Sequence, residues 1–125
     1  MKKNITGEFV VSMKSDALYY YSLKAGKNGI LFKGGGYASK WGYNDGITSI
    51  KMCANDDSMF DREVSSEGKY YFWLRESNGR ALGKSKLYNT VEDREKVIDI
   101  VKKTVPKAVI RLKPGYDFAR AYRVH

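Results

Sequence analysis

The chain has 125 residues, 42% of them hydrophobic and 30% charged, which fits one globular domain over residues 1–125 and excludes a disordered chain. Its net charge of +9 and pI near 9.6 favour an anionic partner, whether nucleic acid, an acidic protein surface or an anionic membrane. The single cysteine, Cys53, excludes a disulfide framework, and no apolar run is long enough to span a bilayer.

The first eight residues carry Lys2 and Lys3 with no apolar run behind them. They do not read as a signal peptide, so a reduced, cytoplasmic location is expected by default. Residues 8–14 alternate Phe9, Val11 and Met13 against Val10 and Ser12, the period of a half-buried strand. Ser15-Asp16-Ala17 is a turn, and residues 18–24 form a second strand. Gly26-Lys27-Asn28-Gly29 turns the chain again, with Asn-Gly as the hairpin signal. Residues 30–34 make a third strand. Ser39 is placed as the N-cap of a helix running to about Ala54, with Tyr43, Ile47, Ile50 and Ala54 as its buried stripe. Between strand and helix stands Lys33-Gly34-Gly35-Gly36. Glycine amides before a helix can approach an anion, but no Gly-Lys-Ser/Thr follows. A strand ending in a bulge or turn is the plainer reading.

The second half repeats this plan. Strands are expected near 59–64, 69–75 and 80–85, with turns at Ser65-Ser66-Glu67-Gly68 and Ser77-Asn78-Gly79. Thr90 followed by Asp93 approximates a capping box. Val91, Val97, Ile98, Val101 and Val105 supply an apolar helix face, Asp99 and Lys103 an i,i+4 pair, and Pro106 a stop. A shift of 51 positions without gaps superimposes ten identical residues: Phe9, Ser15, Tyr19, Tyr20, Leu23, Leu31, Lys33, Tyr37, Ile47 and Lys51 fall on Phe60, Ser66, Tyr70, Tyr71, Leu74, Leu82, Lys84, Tyr88, Ile98 and Lys102. Two copies are too few for a solenoid, so a closed pseudo-symmetric domain is expected.

The motifs Tyr20-Tyr21-Ser22-Leu23-Lys24-Ala25, Asn28-Gly29, Tyr37-Ala38-Ser39-Lys40 and Asp45-Gly46-Ile47-Thr48-Ser49-Ile50-Lys51 recur as Gly68-Lys69-Tyr70-Tyr71-Phe72-Trp73-Leu74, Ser77-Asn78-Gly79 and Tyr88-Asn89-Thr90. This pattern resembles the YegP-like family, small bacterial proteins of tandem units, over about residues 8–106. The resemblance implies an α+β domain of antiparallel strands with helices on one face. It implies no activity. The chain departs from the family at Trp73, where a polar residue is usual, at Gly34-Gly35-Gly36, and in continuing well past the second helix. That extension runs through Val109-Ile110-Arg111-Leu112 and a Lys113-Pro114-Gly115 turn into residues 116–124, which alternate as an added hairpin or a basic aromatic arm would.

The expected fold is therefore α+β: two tandem βββα units, 8–57 and 58–106, with pseudo-twofold symmetry, an antiparallel sheet packed by two helices, and a C-terminal strand or hairpin in the basic extension 107–125. Strands of one unit are expected to complete the sheet of the other. Tyr19, Tyr21, Leu23, Tyr70, Phe72 and Leu74 are assigned to the core. The opposite side then carries Tyr20, Ser22, Lys24, Tyr71, Trp73 and Arg75. Rings interleaved with cations can dock a protein or stack bases while neutralising phosphates; an ordinary aromatic ladder, bare or covered by the extension, has the same residues. The extension's Lys107, Arg111, Lys113, Arg120 and Arg123 suit phosphate contacts or a solvated edge.

Catalysis finds little footing. His125 is the one histidine and is terminal, and Cys53 falls late on the first helix. No enzyme activity, cofactor or metal is expected. The function expected is a small binding protein working through protein–protein contacts, including one that blocks a nucleic-acid-binding partner; direct nucleic-acid binding is the alternative. The candidate binding residues are Tyr20, Lys24, Tyr71, Trp73, Arg75, Lys84, Lys86, Arg111, Lys113, Arg120 and Arg123. The expected partner is an acidic protein or nucleic acid, with no membrane involved, and the chain is a monomer or homodimer.

Overall fold

Two periodicities divide the chain. The computed structural model describes residues 7–113. Alternating stretches become strands β1 (Gly7–Met13), β2 (Tyr19–Ala25) and β3 (Ile30–Tyr37), then helix α1 (Lys40–Cys53). The second unit gives β4 (Phe60–Val64), β5 (Tyr70–Arg75), β6 (Ala81–Ser85) and α2 (Val91–Thr104), and a last strand β7 spans Val109–Leu112. The helices stand 51 positions apart at both ends, the offset of the sequence repeat. Each opens on its expected cap: Ser39 Oγ accepts from Gly42 N at 3.0 Å, and Thr90 Oγ1 accepts from Asp93 N at 3.0 Å.

The described residues form one seven-stranded sheet in the order β4-β5-β6-β3-β2-β1-β7. Each unit is an intact antiparallel meander, and the two join edge to edge where β3 meets β6 antiparallel. That seam carries the pseudo-twofold. Lys33 pairs directly with Lys84, its own repeat equivalent.

Three expectations change. The sheet is mixed, because β7 runs parallel to β1, with Glu8 opposite Val109. The two meanders do not exchange strands; the crossing is made by the segment after α2, which travels back to the outer edge of the first unit. Lys51 Nζ holds it there by donating to Ala108 O at 2.9 Å. Third, β3 does not stop at residue 34. The glycine run continues the strand, with Gly34 and Gly35 opposite Tyr21 and Tyr20. Gly35 has φ of +136°, and a Cβ there would lie 2.5 Å from Tyr20 Cα. A side chain is excluded twice over, by conformation and by space.

One face of the sheet is buried. Phe9, Val11, Tyr21, Leu23, Phe32, Phe72 and Leu74 join Tyr43, Ile47 and Ile50 of α1 and Ile98 and Val101 of α2 in one core. Val91 does not join it. As the first residue of α2 it is 40% exposed, because the helix is only beginning to face the sheet there. Phe32 and Gly83 are repeat equivalents on either side of the seam, and a Cβ on Gly83 would run into the Phe32 ring. One aromatic fills a space that two symmetric ones would contest.

Candidate binding face

The registers place one row of residues straight across the face that the described residues leave uncovered. From β4 to β7 it reads Asp61, Trp73, Lys84, Lys33, Ser22, Val10, Arg111. Neighbouring strands lie about 4.8 Å apart, so Trp73, Lys84 and Lys33 are immediate neighbours. Glu63 and Tyr71 form the adjoining pair on β4 and β5.

Trp73 is the centre of the best-defined patch. It is half-buried, with the Arg75 guanidinium 4.7 Å and the Lys84 Nζ 5.0 Å from its ring. Lys84 Nζ also sits 5.1 Å from the Tyr71 ring. These cation–π contacts hold flexible side chains against flat rings. Arg75 is tied further: its Nε donates to Asp61 Oδ2 at 3.1 Å.

Tyr20 lies on the same face but belongs to a different patch. Two strands, β6 and β3, separate β2 from β5. The Tyr20 hydroxyl donates to Asp16 Oδ2 at 2.5 Å, and Lys14 Nζ stands 4.1 Å over its ring. The hydrogen bond pushes the Tyr20 hydroxyl pKa up and holds the Asp16 carboxyl below its ordinary range. Tyr20 is thus fastened to its own hairpin and does not continue the Trp73 patch.

The remaining candidates are scattered. Lys24 faces Glu8 across the β1–β2 pair. Lys86 lies beyond the end of β6, exposed. Arg111 donates through Nε to Glu8 Oε1 at 3.0 Å. Lys113 follows β7, its amide donating to Val11 O at 2.9 Å. Arg120 and Arg123, with the alternation at 116–124, lie outside the described residues.

Lys33 was not among the candidates, and geometry puts it at the middle of the face. It is exposed and forms no ion pair among the described residues. The signal was present in the sequence: Lys33 and Lys84 are identical at the repeat offset. What the sequence lacks is the inter-unit register that sets them side by side. Cys53, at the end of α1, is half-buried; burial first, then the charges of Glu76 and Asp56, push its thiol pKa up. That shift disfavours the thiolate, which is the nucleophilic form.

The comparisons with known proteins agree with this architecture. The family model described as a domain of unknown function, DUF1508, matches twice, at residues 15–61 and 65–111. A UPF0339 protein of Bordetella pertussis is 35% identical over 104 residues, covering 83% of this chain and 93% of that protein. The UPF0339 protein YegP of Escherichia coli K12 is 32% identical over 98 residues, covering 78% and 89%. The solution NMR structure of YegP from E. coli superimposes with a TM-score of 0.82 at 28% identity, covering 92% of this chain and 98% of that one. That of a UPF0339 protein from Shewanella oneidensis gives 0.78 at 25% identity, covering 85% and 90%. Among the described residues no helix is long and apolar enough to cross a membrane. Two family matches along one chain, and relatives that share its length and its fold, mean that this chain belongs to the DUF1508 family of UPF0339, YegP-like proteins.

Proposed function

We propose that the chain is a non-enzymatic binding protein that docks an acidic protein partner on the open sheet face, at the half supplied by the second unit. The observation that carries this reading is Trp73, half-buried on the sheet between Arg75 and Lys84. A flat ring steadied by two cations offers apolar area at small entropic cost, and Trp, Tyr and Arg are the residue types that dominate contact hot spots. Ser22 stands at the equivalent position of the first unit, so the face is lopsided and a partner favours the second unit.

A protein partner fits this face better than a phosphate backbone does. Arg75 and Arg111 are the guanidinium groups of the row and its border, and both are already ion-paired, to Asp61 and Glu8. That leaves Lys33 and Lys84 as the cations of the row without an ion pair among the described residues, enough for a side-chain carboxylate and few for a backbone charged at every nucleotide. The test uses purified tagged chain and its Trp73→Ala variant, matched for thermal stability, to recover partners that are then identified and re-measured in purified form. Wild type should bind at least about tenfold more tightly than the variant, the size of a hot-spot loss. Equal affinity removes Trp73 from the site. Tight binding of single-stranded nucleic acid, weakening steeply with salt, would replace this reading with the nucleic-acid one.

A further inference from the structure

We propose that Lys33 and Lys84 form an anion subsite on the pseudo-twofold seam, which takes one side-chain carboxylate of an acidic protein segment while Trp73 covers the apolar part beside it. This rests on the sheet-face reading above and names the chemistry that the partner must bring.

The seam makes the pair. Lys33 and Lys84 are direct cross-strand partners on one face, which sets their Cβ atoms about 5 Å apart. Two ammonium groups so placed repel each other, and like charges directly opposite weaken a sheet. A fold would be expected to answer with a carboxylate. It does so for the arginines of the row and its border: Asp61 answers Arg75, and Glu8 answers Arg111. It does not do so for the lysine pair. Neither Lys33 nor Lys84 has an ion pair among the described residues, although both repeats keep the lysine.

The surroundings fit a single anion. On one side stand Trp73 and Tyr71, against which Lys84 rests at 5.0 and 5.1 Å. On the other stand Ser22, next to Lys33 in the row, and Gly35, which has no side chain. A carboxylate above the seam thus reaches both ammonium groups past the small Ser22, while the Tyr20 ring lies against Gly35 and borders the site on that side. Its own methylene stem lies toward the ring. Binding would relieve a repulsion that the free protein carries, so the free pair is poised for an outside charge.

The test uses the full chain with Trp41→Phe, so that emission reports Trp73; Trp41 lies on α1 with 77% of its surface exposed. The probes are poly-L-glutamate and oligothymidylate of matched length. Poly-L-glutamate should shift Trp73 emission, and Lys33→Gln/Lys84→Gln should weaken its binding about tenfold. The control Lys27→Gln/Lys40→Gln removes the same charge elsewhere and should change affinity less than about twofold. An equal loss in both variants overturns the subsite, since diffuse charge would then carry the binding. Tighter binding of oligothymidylate, lost in the Lys33/Lys84 variant, overturns the carboxylate in favour of phosphate. An undiminished emission shift in that variant overturns the lysine pair alone and leaves the sheet face standing. No shift in any protein overturns both.

Discussion

The two units differ most instructively at one repeat position, Val11 in β1 and Arg62 in β4. Val11 is fully buried. Arg62 instead donates to Glu95 Oε2 at 2.9 Å and to Asp57 Oδ1 at 3.0 Å, with Lys102 Nζ 2.7 Å from Asp57. Its helix partner Glu95 is replaced by Asn44 at the equivalent position of the first unit. β7 explains the difference. It covers the outer side of β1 and makes it an interior strand, so an apolar residue is served there. β4 remains at the edge of the described sheet, where a buried valine would lack cover and a charge network holds strand to helix. Edge strands with inward charges also resist pairing with other chains. Symmetry thus survives in the backbone and is broken by burial.

The largest test of that comparison is at the seam. Phe32→Ala should cost about 3–5 kcal/mol in a urea melt, and Gly83→Phe alone should cost about 1–3 kcal/mol by overpacking. The exchange Phe32→Gly with Gly83→Phe should recover much of the loss, because the pseudo-twofold returns the ring to an equivalent space; additive losses would mean that the seam is not symmetric at side-chain level. Next come the caps. Ser39→Ala and Thr90→Ala should each lower stability by about 1 kcal/mol, and a large inequality would show that one helix leans on tertiary contacts and the other on its own ends. Acid titration then separates the units. Hydrogen bonds from Arg62 and Lys102 hold the Asp57 carboxyl well below its ordinary value of 3.8. A lowered folded-state pKa gives stability that is present above the ordinary value and lost as pH falls below it. Asp57→Asn should therefore flatten the acid limb of the stability curve below about pH 4, which no change at Val11 should do. The smallest effect concerns the lysine pair: Lys33→Gln should raise stability by about 0.2–1 kcal/mol, while Lys84→Gln should gain less, since it gives up its ring contacts.

The sequence made the repeat, both helices and their caps legible because those are local signals confirmed twice. Tyr43, Ile47 and Ile50 were readable as a stripe, and Phe72 and Leu74 as core, from period alone. Val91 misled because a β-branched residue at a helix start looks like the rest of the stripe. The parallel seating of β7 was hidden: its four residues pair with a strand roughly 100 positions earlier, and alternation says nothing of direction. The face was half legible. Strand parity put Tyr71, Trp73 and Arg75 on one side, but only the β3–β6 register separates Tyr20 from them and brings Lys33 to Lys84. The ion pairs that occupy Arg75 and Arg111 depend on the same long-range pairing.

The parallel seating of β7 also imposes an order in time. β1 is the first of the described strands to be made, yet its outer partner is the last of them. At about 5–20 residues per second, translation leaves that edge open for roughly 5–20 s. During that interval β2 can pair with β1 on one side only, and Phe9 and Val11 wait under an incomplete roof. A nascent chain of this design carries a sticky margin until β7 arrives, so any segment that reaches β1 sooner competes with β7 for the same seat.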